Sequence, residues 1–334
     1  MSAATIVIAV LRRLGLLLAV AALLAAPVAA GEDPKRWPSK PVMLIVPFPA
    51  GGGADNLARL VMPRVSRVLG QNIVIENRAG AGGNVGAEYV ARAAPDGYTL
   101  LYGTNGTHAI NASLYRELRF DPVRDFVPVS RMTEIAAMLI VNPQLPVNST
   151  AELIRYAKAN PGKLNFGSAG NGTTSHLAGE LFRTHANIDI VHVPYRGGAL
   201  AMTDLIAGHV QMMIEVMPNA WPQVRDGRVR GLAVSTASRF PGAPAIPTID
   251  ESGLPGFEAS AWDGIFVPAG TPAPIVTKLN AAIREALDDP ELVAALLARG
   301  ARPVPGTPES FARFIGSSSE TWGVAVRASG AKID

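Results

Sequence analysis

The stretch VMLIVPFPAGGGADNLARL, residues 42–60, holds the pattern that decides the fold. Val42–Val46 is a short apolar run between two prolines, which is typical of a buried strand. A glycine-rich turn follows, and apolar residues then recur at helical spacing from Asp55 to Leu69, where Gly70 ends the helix. A buried strand, a glycine-rich turn and an amphipathic helix, in this order, predict the first unit of an α/β fold.

The same alternation continues beyond this stretch. Residues 72–75 and 99–102 are further apolar runs, and a helix is predicted between them over residues 87–94. This order favours a parallel sheet with helices on both faces. In such sheets ligands bind beyond the carboxyl ends of the strands, where this sequence is rich in glycine and small polar residues.

A second alternating unit begins near Ala137 and ends near Val234, and the pattern changes again beyond about residue 258. We expect the last helices, near residues 273–328, to pack back on the first unit. The fold class we predict is α/β with two domains, each a mixed, mostly parallel sheet flanked by helices, and a ligand cleft between them. The predicted divisions are a signal peptide at 1–30, domain 1 at 31–136 plus 257–334, and domain 2 at 137–256.

The N-terminus indicates export. Arg12 and Arg13 precede an apolar run from Leu14 to Ala26, and small residues up to Ala30 complete the pattern of a cleavable signal peptide. The alternative is an uncleaved anchor, but the apolar run is shorter than the roughly 20 residues that a membrane span needs. Cleavage near Ala30 would place the mature chain in the periplasm.

Composition narrows the range of functions. The 334 residues include no cysteine, which excludes disulfides, a lipid-modified cysteine and a thiolate metal site. The formal charge is +3, of which Arg12 and Arg13 supply two, so the predicted mature chain carries +1. A nearly neutral protein has no electrostatic basis for binding nucleic acid or a membrane surface.

The turn after the first strand is the leading candidate for a binding site. Its glycines leave room for backbone amides to face an anion, and it opens into a helix N-terminus that carries about half a positive charge. A carboxylate can bind there without a lysine. The alternative is a tight turn whose glycines serve packing alone. The predicted ligand-binding residues of this turn are Phe48, Pro49, Ala50, Gly51, Gly52, Gly53 and Ala54.

Residues 168–175 repeat the arrangement in the second unit. Small and hydroxyl-bearing residues precede a helix predicted over 176–186, where they would either cap the helix or hold a ligand oxygen. Two helix N-termini facing one cleft would suit a ligand with two acidic ends. Tyr195 could close the cleft, and Arg196 could clamp a carboxylate or remain solvated. Glu215 could accept a ligand amine or hydroxyl, or form a salt bridge.

The sequence gives little support to nucleotide binding, metal binding or catalysis. Gly80–Gly86 resembles a dinucleotide fingerprint but is one residue too long, and the five histidines lack the spacing of metal ligands. An exported hydrolase or esterase acting on carboxylate compounds is the alternative function, with Ser168 and His176 as its essential residues. No G-x-S-x-G elbow occurs. We therefore predict a protein that is not an enzyme and that has no cofactor and no metal site.

Long segments of the chain resemble one known family, the tripartite tricarboxylate transporter receptors, also called the Bug family of solute-binding proteins (TctC-like). The resemblance extends over about residues 36–333. The segments are WPSKPVMLIVPFPAGGGADNLAR, IENRAGAGGNVGAEYVARAAPDGYTLL, NFGSAGNGTTSHLAGELF, HVPYRGGALAMTDLIAGHVQMM and AWDGIFVPAGTPAPIVTKLNAAI.

This resemblance implies a periplasmic-binding-protein (Venus flytrap) fold that captures a small carboxylate-bearing metabolite by domain closure, without a cofactor. The ligand would be a di- or tricarboxylate, an aromatic acid or an amino acid. Membrane permease subunits or a sensor would be the partner, and we expect a monomer. Family members often carry aspartate where this chain has Glu215. The resemblance implies further ligand contacts at Thr104, Asn105, Ser168, Ala169, Gly170, Gly172, Thr173 and Tyr195.

Overall fold

The computed structural model describes residues 36–333, except for the side chains of residues 328 and 329. The signal peptide predicted over residues 1–30 lies outside this range. From Trp37 onward the chain is one compact unit built on two β-sheets. The strands are β1 (Val42–Val46), β2 (Ile73–Asn77), β3 (Thr99–Thr104), β4 (Phe126–Ile135), β5 (Ala137–Val141), β6 (Leu164–Ser168), β7 (Ile190–Pro194), β8 (Met212–Val216), β9 (Arg230–Val234), β10 (Ala261–Pro268) and β11 (Ala301–Pro303).

The helices flank both sheets. Their apolar faces pack on the sheets, as the buried residues of each helix show. No helix within residues 36–333 combines the length and the apolar character that crossing a membrane requires. The helices are α1 (Gly53–Leu69), α2 (Asn84–Ala91), α3 (Asn111–Leu114), α4 (Thr150–Ala159), α5 (Thr174–Ala186), α6 (Gly198–Ala207), α7 (Met217–Arg225), α8 (Ala273–Leu287), α9 (Pro290–Leu297) and α10 (Pro308–Ser329).

The first sheet has six strands in the order β2-β1-β3-β10-β4-β11. β1 lies between β2 and β3 and pairs with both in parallel, with Met43 opposite Val74 on one side and Thr99 on the other. β10, β4 and β11 extend the sheet in antiparallel pairing. The residues of β10 are all buried, as expected for a strand at the centre of a sheet covered on both faces.

The second sheet has five strands in the order β7-β6-β8-β5-β9. β6 is parallel to β7 and β8, while β5 is antiparallel to β8 and β9. The chain passes from the first sheet to the second between Ile135 and Ala137, and it returns before β10. Ser235 joins the two crossings, because its hydroxyl accepts from the Ala137 amide at 3.2 Å and donates to the Ala259 carbonyl at 2.8 Å.

Asp263 fixes the centre of the first sheet. This fully buried carboxylate on β10 accepts hydrogen bonds from the amide and the hydroxyl of Thr133 on β4, at 2.9 and 2.7 Å, and from the hydroxyl of Tyr102 on β3. Burial is the main cause that raises the pKa of Asp263 to about 6, and the hydrogen bonds oppose that rise. One side chain therefore links three neighbouring strands.

The α/β architecture with two sheets confirms the predicted fold class, and the strands and helices predicted from apolar spacing are present. Both sheets are mixed, and antiparallel pairing has a larger share than the sequence suggested, because β4 inserts between β10 and β11. β4 gave no signal in the sequence, since Pro128, Ser130, Arg131 and Thr133 interrupt its apolar pattern. α7 was also missed, because prolines at its start and in its interior hide a helix.

Gly264 on β10 tests how tightly α10 packs on the first sheet. A Cβ there would lie 2.4 Å from the ring of Phe311 and 2.7 Å from the backbone oxygen of Ser130. We expect Gly264→Ala to lower the free energy of unfolding in urea by about 1–3 kcal/mol, the usual cost of overpacking.

Gly316→Ala is the matched control, because Gly316 is exposed on α10 and an added Cβ meets nothing within 4 Å. This substitution should be neutral or slightly stabilising, since alanine favours a helix over glycine. Equal losses in the two variants would show that packing against Phe311 is not the cause.

Candidate functional site

A cavity lies between the two sheets, beyond the carboxyl ends of β1, β3, β6 and β8. Its volume is about 80 Å³, several times the space that one buried water needs. It is lined by Phe48, Pro49, Gly52, Gly53, Ala54, Tyr102, Thr104, Asn105, Ile135, Ala169, Thr173, Thr174, Ser175, Gly198, Ala199, Glu215, Val216, Ala261 and Trp262. Both sheets contribute to the lining, so the cavity is the cleft that the sequence predicted between two α/β units.

Four helices begin at the wall of this cavity. They are α1 from the first sheet and α5, α6 and α7 from the second. Each N-terminus carries the positive end of a helix dipole, and the first amides of a helix have no acceptor within it. In α7 the Met217 amide donates to the Ala136 carbonyl at 2.8 Å and the next residue is a proline, so α7 contributes its dipole more than free amides. The positive ends of these helices therefore meet at one place.

The N-termini at the cavity have no side-chain cap. Gly52, Thr173, Gly197 and Val216 stand at the N-cap positions of α1, α5, α6 and α7, and none accepts a capping hydrogen bond with its side chain. By contrast, α4, α9 and α10 begin away from the cavity and are capped by side-chain oxygens. α2, α3 and α8 also lack side-chain caps, so the distinguishing feature is the convergence of uncapped ends on one cavity.

The lining has no cationic side chain. None of the described residues that line the cavity is Lys, Arg or His, and Glu215 is the only acidic residue among them. An anion in this cavity would therefore be held by backbone amides, hydroxyls and the side-chain amide of Asn105. Helix N-termini bind carboxylates and phosphates in this way without a positive side chain.

Asp55 holds the first glycine turn in shape. It accepts from the Gly51 amide at 2.9 Å and from Arg59, and Asn77 donates both to Asp55 and to the Phe48 carbonyl at 3.0 Å. Burial acts to raise the pKa of Asp55, but the hydrogen bonds from Arg59, the Gly51 amide and Asn77 outweigh it and lower that pKa. The turn is thus fixed by an ionised carboxylate that does not itself line the cavity.

The loops of the two sheets touch at glycines. A Cβ on Gly53 would lie 2.6 Å from a methyl group of Val216, and a Cβ on Gly82 would lie 2.2 Å from the backbone oxygen of Asn171. Thr174 on α5 also donates to the side-chain oxygen of Asn105 at 3.1 Å. The cavity is closed by these direct contacts, which would not form if larger residues replaced the glycines.

Ser168 does not face the cavity. It is fully buried, its hydroxyl lies 2.7 Å from Nε2 of His192, and it accepts from the Gly170 amide at 3.2 Å. His176 stacks on His192 at 4.2 Å between ring centroids and makes no contact with Ser168 among those the structure gives. Burial lowers the pKa of His176 to about 4 and that of His192 to about 3. The histidines pack this loop and hold Ser168 away from the cavity.

Glu215 is buried at the end of β8. Burial is the main cause that raises its pKa to about 7. Asn219, the Val216 backbone and Ser175 lie close enough to the carboxylate to oppose that rise, although none forms a well-aligned hydrogen bond with Oε2. Oε2 of Glu215 has no hydrogen-bond partner within residues 36–333, and neither has Nδ2 of the neighbouring Asn219. No cation compensates the carboxylate from within the cavity lining.

The structure brings ten of the predicted site residues together at the cavity and leaves six outside its lining. Gly51 and Gly172 use their amides on Asp55 and His176, and the hydroxyl of Tyr195 donates to Asp204 at 2.7 Å. Tyr195, Gly170 and Arg196 line an adjacent outer groove of about 380 Å³. The ten lining residues are Phe48, Pro49, Gly52, Gly53, Ala54, Thr104, Asn105, Ala169, Thr173 and Glu215, and the six others are Ala50, Gly51, Ser168, Gly170, Gly172 and Tyr195.

Some lining residues carried no sequence signal. Gly198 and Ala199 follow the turn after β7, where the start of a helix after glycines was the available clue. Ile135, Ala261 and Trp262 belong to the crossings between the sheets, which no local pattern identifies. Tyr102 and Val216 complete the set that was not predicted, whereas Thr174 and Ser175 lie in the segment 168–175, where a helix cap or a ligand contact was expected.

The chain matches the family model described as the tripartite tricarboxylate transporter family receptor over residues 57–331. It belongs to this receptor family. Protein BugT of Bordetella pertussis is 38% identical over 321 residues, which cover 96% of this chain and 97% of BugT. This relationship confirms the resemblance found in the sequence.

Solved structures agree with the family assignment. A Rhodopseudomonas palustris protein solved with adipate is 40% identical, with a TM-score of 0.87, and the match covers 89% of this chain and 100% of that one. MatC from Rhodopseudomonas palustris, solved with bound malate, is 38% identical with a TM-score of 0.82 over 87% of this chain and 100% of MatC. These matches confirm the periplasmic-binding-protein fold of this receptor.

Family membership also decides between the two predicted functions. It supports a solute-binding receptor and gives no support to an exported hydrolase. The hydrolase alternative would be tested by substituting Ser168 and His176, and in the structure the Ser168 hydroxyl lies 2.7 Å from Nε2 of His192 rather than pairing with His176. Within residues 36–333 no three His, Asp or Glu side chains are grouped as metal ligands.

Glu215 gives this receptor a measurable dependence of stability on pH. Its pKa is about 7 in the folded state against an ordinary 4.5, so the unfolded chain releases this proton first as the pH rises. The free energy of unfolding is therefore lowered by nothing below pH 4.5 and by the full amount, on the order of 3 kcal/mol, above pH 7. Glu215→Gln removes this loss of stability. We therefore expect the free energy of unfolding of the variant in urea, without ligand, to exceed that of the wild type by a margin that grows by about 2 kcal/mol from pH 5 to pH 8. A difference that does not change with pH would contradict this.

Proposed function

We propose that this receptor captures a small organic acid in the cavity between its two sheets and holds a carboxylate of that acid on the uncapped N-termini of α1, α5, α6 and α7. The observation that carries the proposal is the convergence of these ends on a cavity without a cationic side chain. Solved relatives that hold adipate and malate support an acid as the ligand.

Several oxygen and nitrogen atoms in the lining suit a hydrated carboxylate. Thr104, Asn105, Thr173 and Ser175 add hydroxyls and an amide to the backbone groups. Bridging waters would let the same amides accept acids of different length, since a water-mediated hydrogen bond is nearly as favourable as a direct one. Such a site selects the carboxylate group first and the remainder of the ligand second.

We further propose that binding proceeds by closure of two domains, 31–136 plus 257–334 and 137–256, about hinges near residues 133–140 and 252–260. Ser235 joins the two hinge segments by hydrogen bonds, which would make them bend together. The contacts of Gly53 with Val216 and of Gly82 with Asn171 would form on closure. The closed form is favoured when a ligand contacts both domains.

The receptor would act in the periplasm after cleavage near Ala30, as a monomer that delivers its acid to membrane permease subunits. Its family supports a permease as partner. A sensor that reads the closed form is the other partner that the sequence indicated.

Thermal unfolding of the mature receptor tests the ligand class. We expect at least one acid from a panel containing succinate, malate, adipate, citrate and benzoate to raise the unfolding midpoint by several degrees at saturating concentration, because a ligand that binds only the folded state stabilises it by about 2.7 kcal/mol at 100 times its Kd. The corresponding amides, such as adipamide for adipate, should give no rise, since helix N-termini favour an anion. The proposal would be contradicted if no acid raised the unfolding midpoint, or if an acid and its amide raised that midpoint equally.

Gly82→Ala tests closure. Its Cβ would meet the backbone oxygen of Asn171 at 2.2 Å, so the loops of the two sheets could not approach, and we expect the Kd of the stabilising acid to rise at least tenfold in calorimetric titration. Gly70→Ala is the matched control, because Gly70 also has a positive φ, +70° against +62°, but an added Cβ meets nothing within 4 Å. Both variants should lose similar stability without ligand. Unchanged affinity in Gly82→Ala would argue against closure at this contact.

A further inference from the structure

Two buried polar atoms near the start of α6 have no hydrogen-bond partner within residues 36–333, and one of them, on Glu215, belongs to a residue of the cavity lining. Glu215 is 2% exposed and Asn219 is 6% exposed. Oε2 of Glu215 and Nδ2 of Asn219 form no hydrogen bond within the part of the chain that the structure describes. The two side chains lie against the same point of α6, because a Cβ on Gly198 would be 2.8 Å from Oε1 of Glu215 and 3.0 Å from Nδ2 of Asn219.

An unpaired acceptor next to an unpaired donor is costly inside a protein, because each has lost its hydrogen bonds to water. Elsewhere in this structure buried acids are well satisfied. Asp263 has three hydrogen bonds, and Asp55 has contacts with Gly51, Arg59 and Asn77. Glu215 is therefore an exception that lies in the wall of the binding cavity.

The surroundings of Glu215 restrict what can satisfy it. No Lys, Arg or His is among the described residues of the lining, so the protein offers no salt bridge from within the cavity. A second carboxylate of a ligand would be repelled by Glu215 unless the two shared a proton. A hydroxyl or an ammonium group of a ligand can donate to Glu215.

We propose that the acid bound by this receptor carries a hydrogen-bond donor, a hydroxyl or an amino group, that Glu215 accepts. The proposal rests on the proposed function, because the carboxylate of the same ligand must occupy the helix N-termini of α1, α5, α6 and α7. Glu215 would then decide which acids are preferred, and the helix ends would decide that an acid is bound at all.

Acids that share a carbon chain and differ in one substituent test this directly. Succinate, malate and aspartate form one set, glutarate, 2-hydroxyglutarate and glutamate a second, and propionate, lactate and alanine a third. We expect calorimetric titration of the mature receptor to show that, in the set that binds, a donor-bearing acid has a Kd at least about tenfold below that of the unsubstituted acid, the preference expected of one hydrogen bond to a charged group.

Two variants assign the preference to Glu215. In Glu215→Leu the ratio of affinities within the set should fall to about threefold or less, whereas in Glu285→Leu, where an exposed glutamate on α8 is replaced, the ratio of the wild type should persist. Glu215→Gln separates the two donors. It keeps a carbonyl acceptor, so a hydroxyl should retain part of its advantage, while an ammonium group should lose its advantage with the charge.

The possible failures are distinguishable. If unsubstituted acids bind as tightly as donor-bearing ones, or if Glu215→Leu keeps the ratio of the wild type, the role of Glu215 is refuted while acid binding stands. If no acid of any set binds to the wild type, to Glu285→Leu or to Glu215→Leu, the proposed function itself fails, and the inference fails with it.

Discussion

The proposed binding site depends on helix N-termini that carry no side-chain cap and meet across two sheets. Most of the protein serves to bring them together. β1, β6 and β8 direct their carboxyl ends toward the cavity, and the loops after them open at once into α1, α5 and α7. Gly53 and Gly82 permit the last approach, because any side chain at either position would collide with the opposite loop. Glycine is therefore needed in these turns for two reasons: it lets the loops of the two sheets touch, and it leaves backbone amides exposed.

In the proposed site, attracting an anion and selecting among anions would fall to different groups. Amides and helix dipoles attract an anion without a flexible charge that must be ordered on binding. In the proposed complex Glu215 places a negative group in the same cavity, where it would oppose a second anion and favour a donor. Its buried Oε2 has no hydrogen-bond partner within residues 36–333, and burial raises its pKa to about 7.

The local sequence pattern was sufficient to predict one half of the site. The run from Val42 to Leu69 specifies a buried strand, a glycine turn and a helix, and residues 168–175 specify the second such turn. The other half depends on long-range geometry. Trp262 and Ile135 reach the cavity because β10 and β4 lie at the crossings between sheets, and no periodicity in the sequence reports this. Tyr195 shows the converse, since its position after β7 suggested a ligand contact but its hydroxyl is occupied by Asp204.

A crystal structure of the mature receptor with the acid that stabilises it most would test the central claim most directly. We predict a carboxylate between the two sheets, with its oxygens hydrogen-bonded, directly or through one water, to amides at the start of α1 and at the start of at least one helix of the second sheet. An acid held by an arginine or lysine, or bound outside this cavity while the helix ends stay unoccupied, would contradict it.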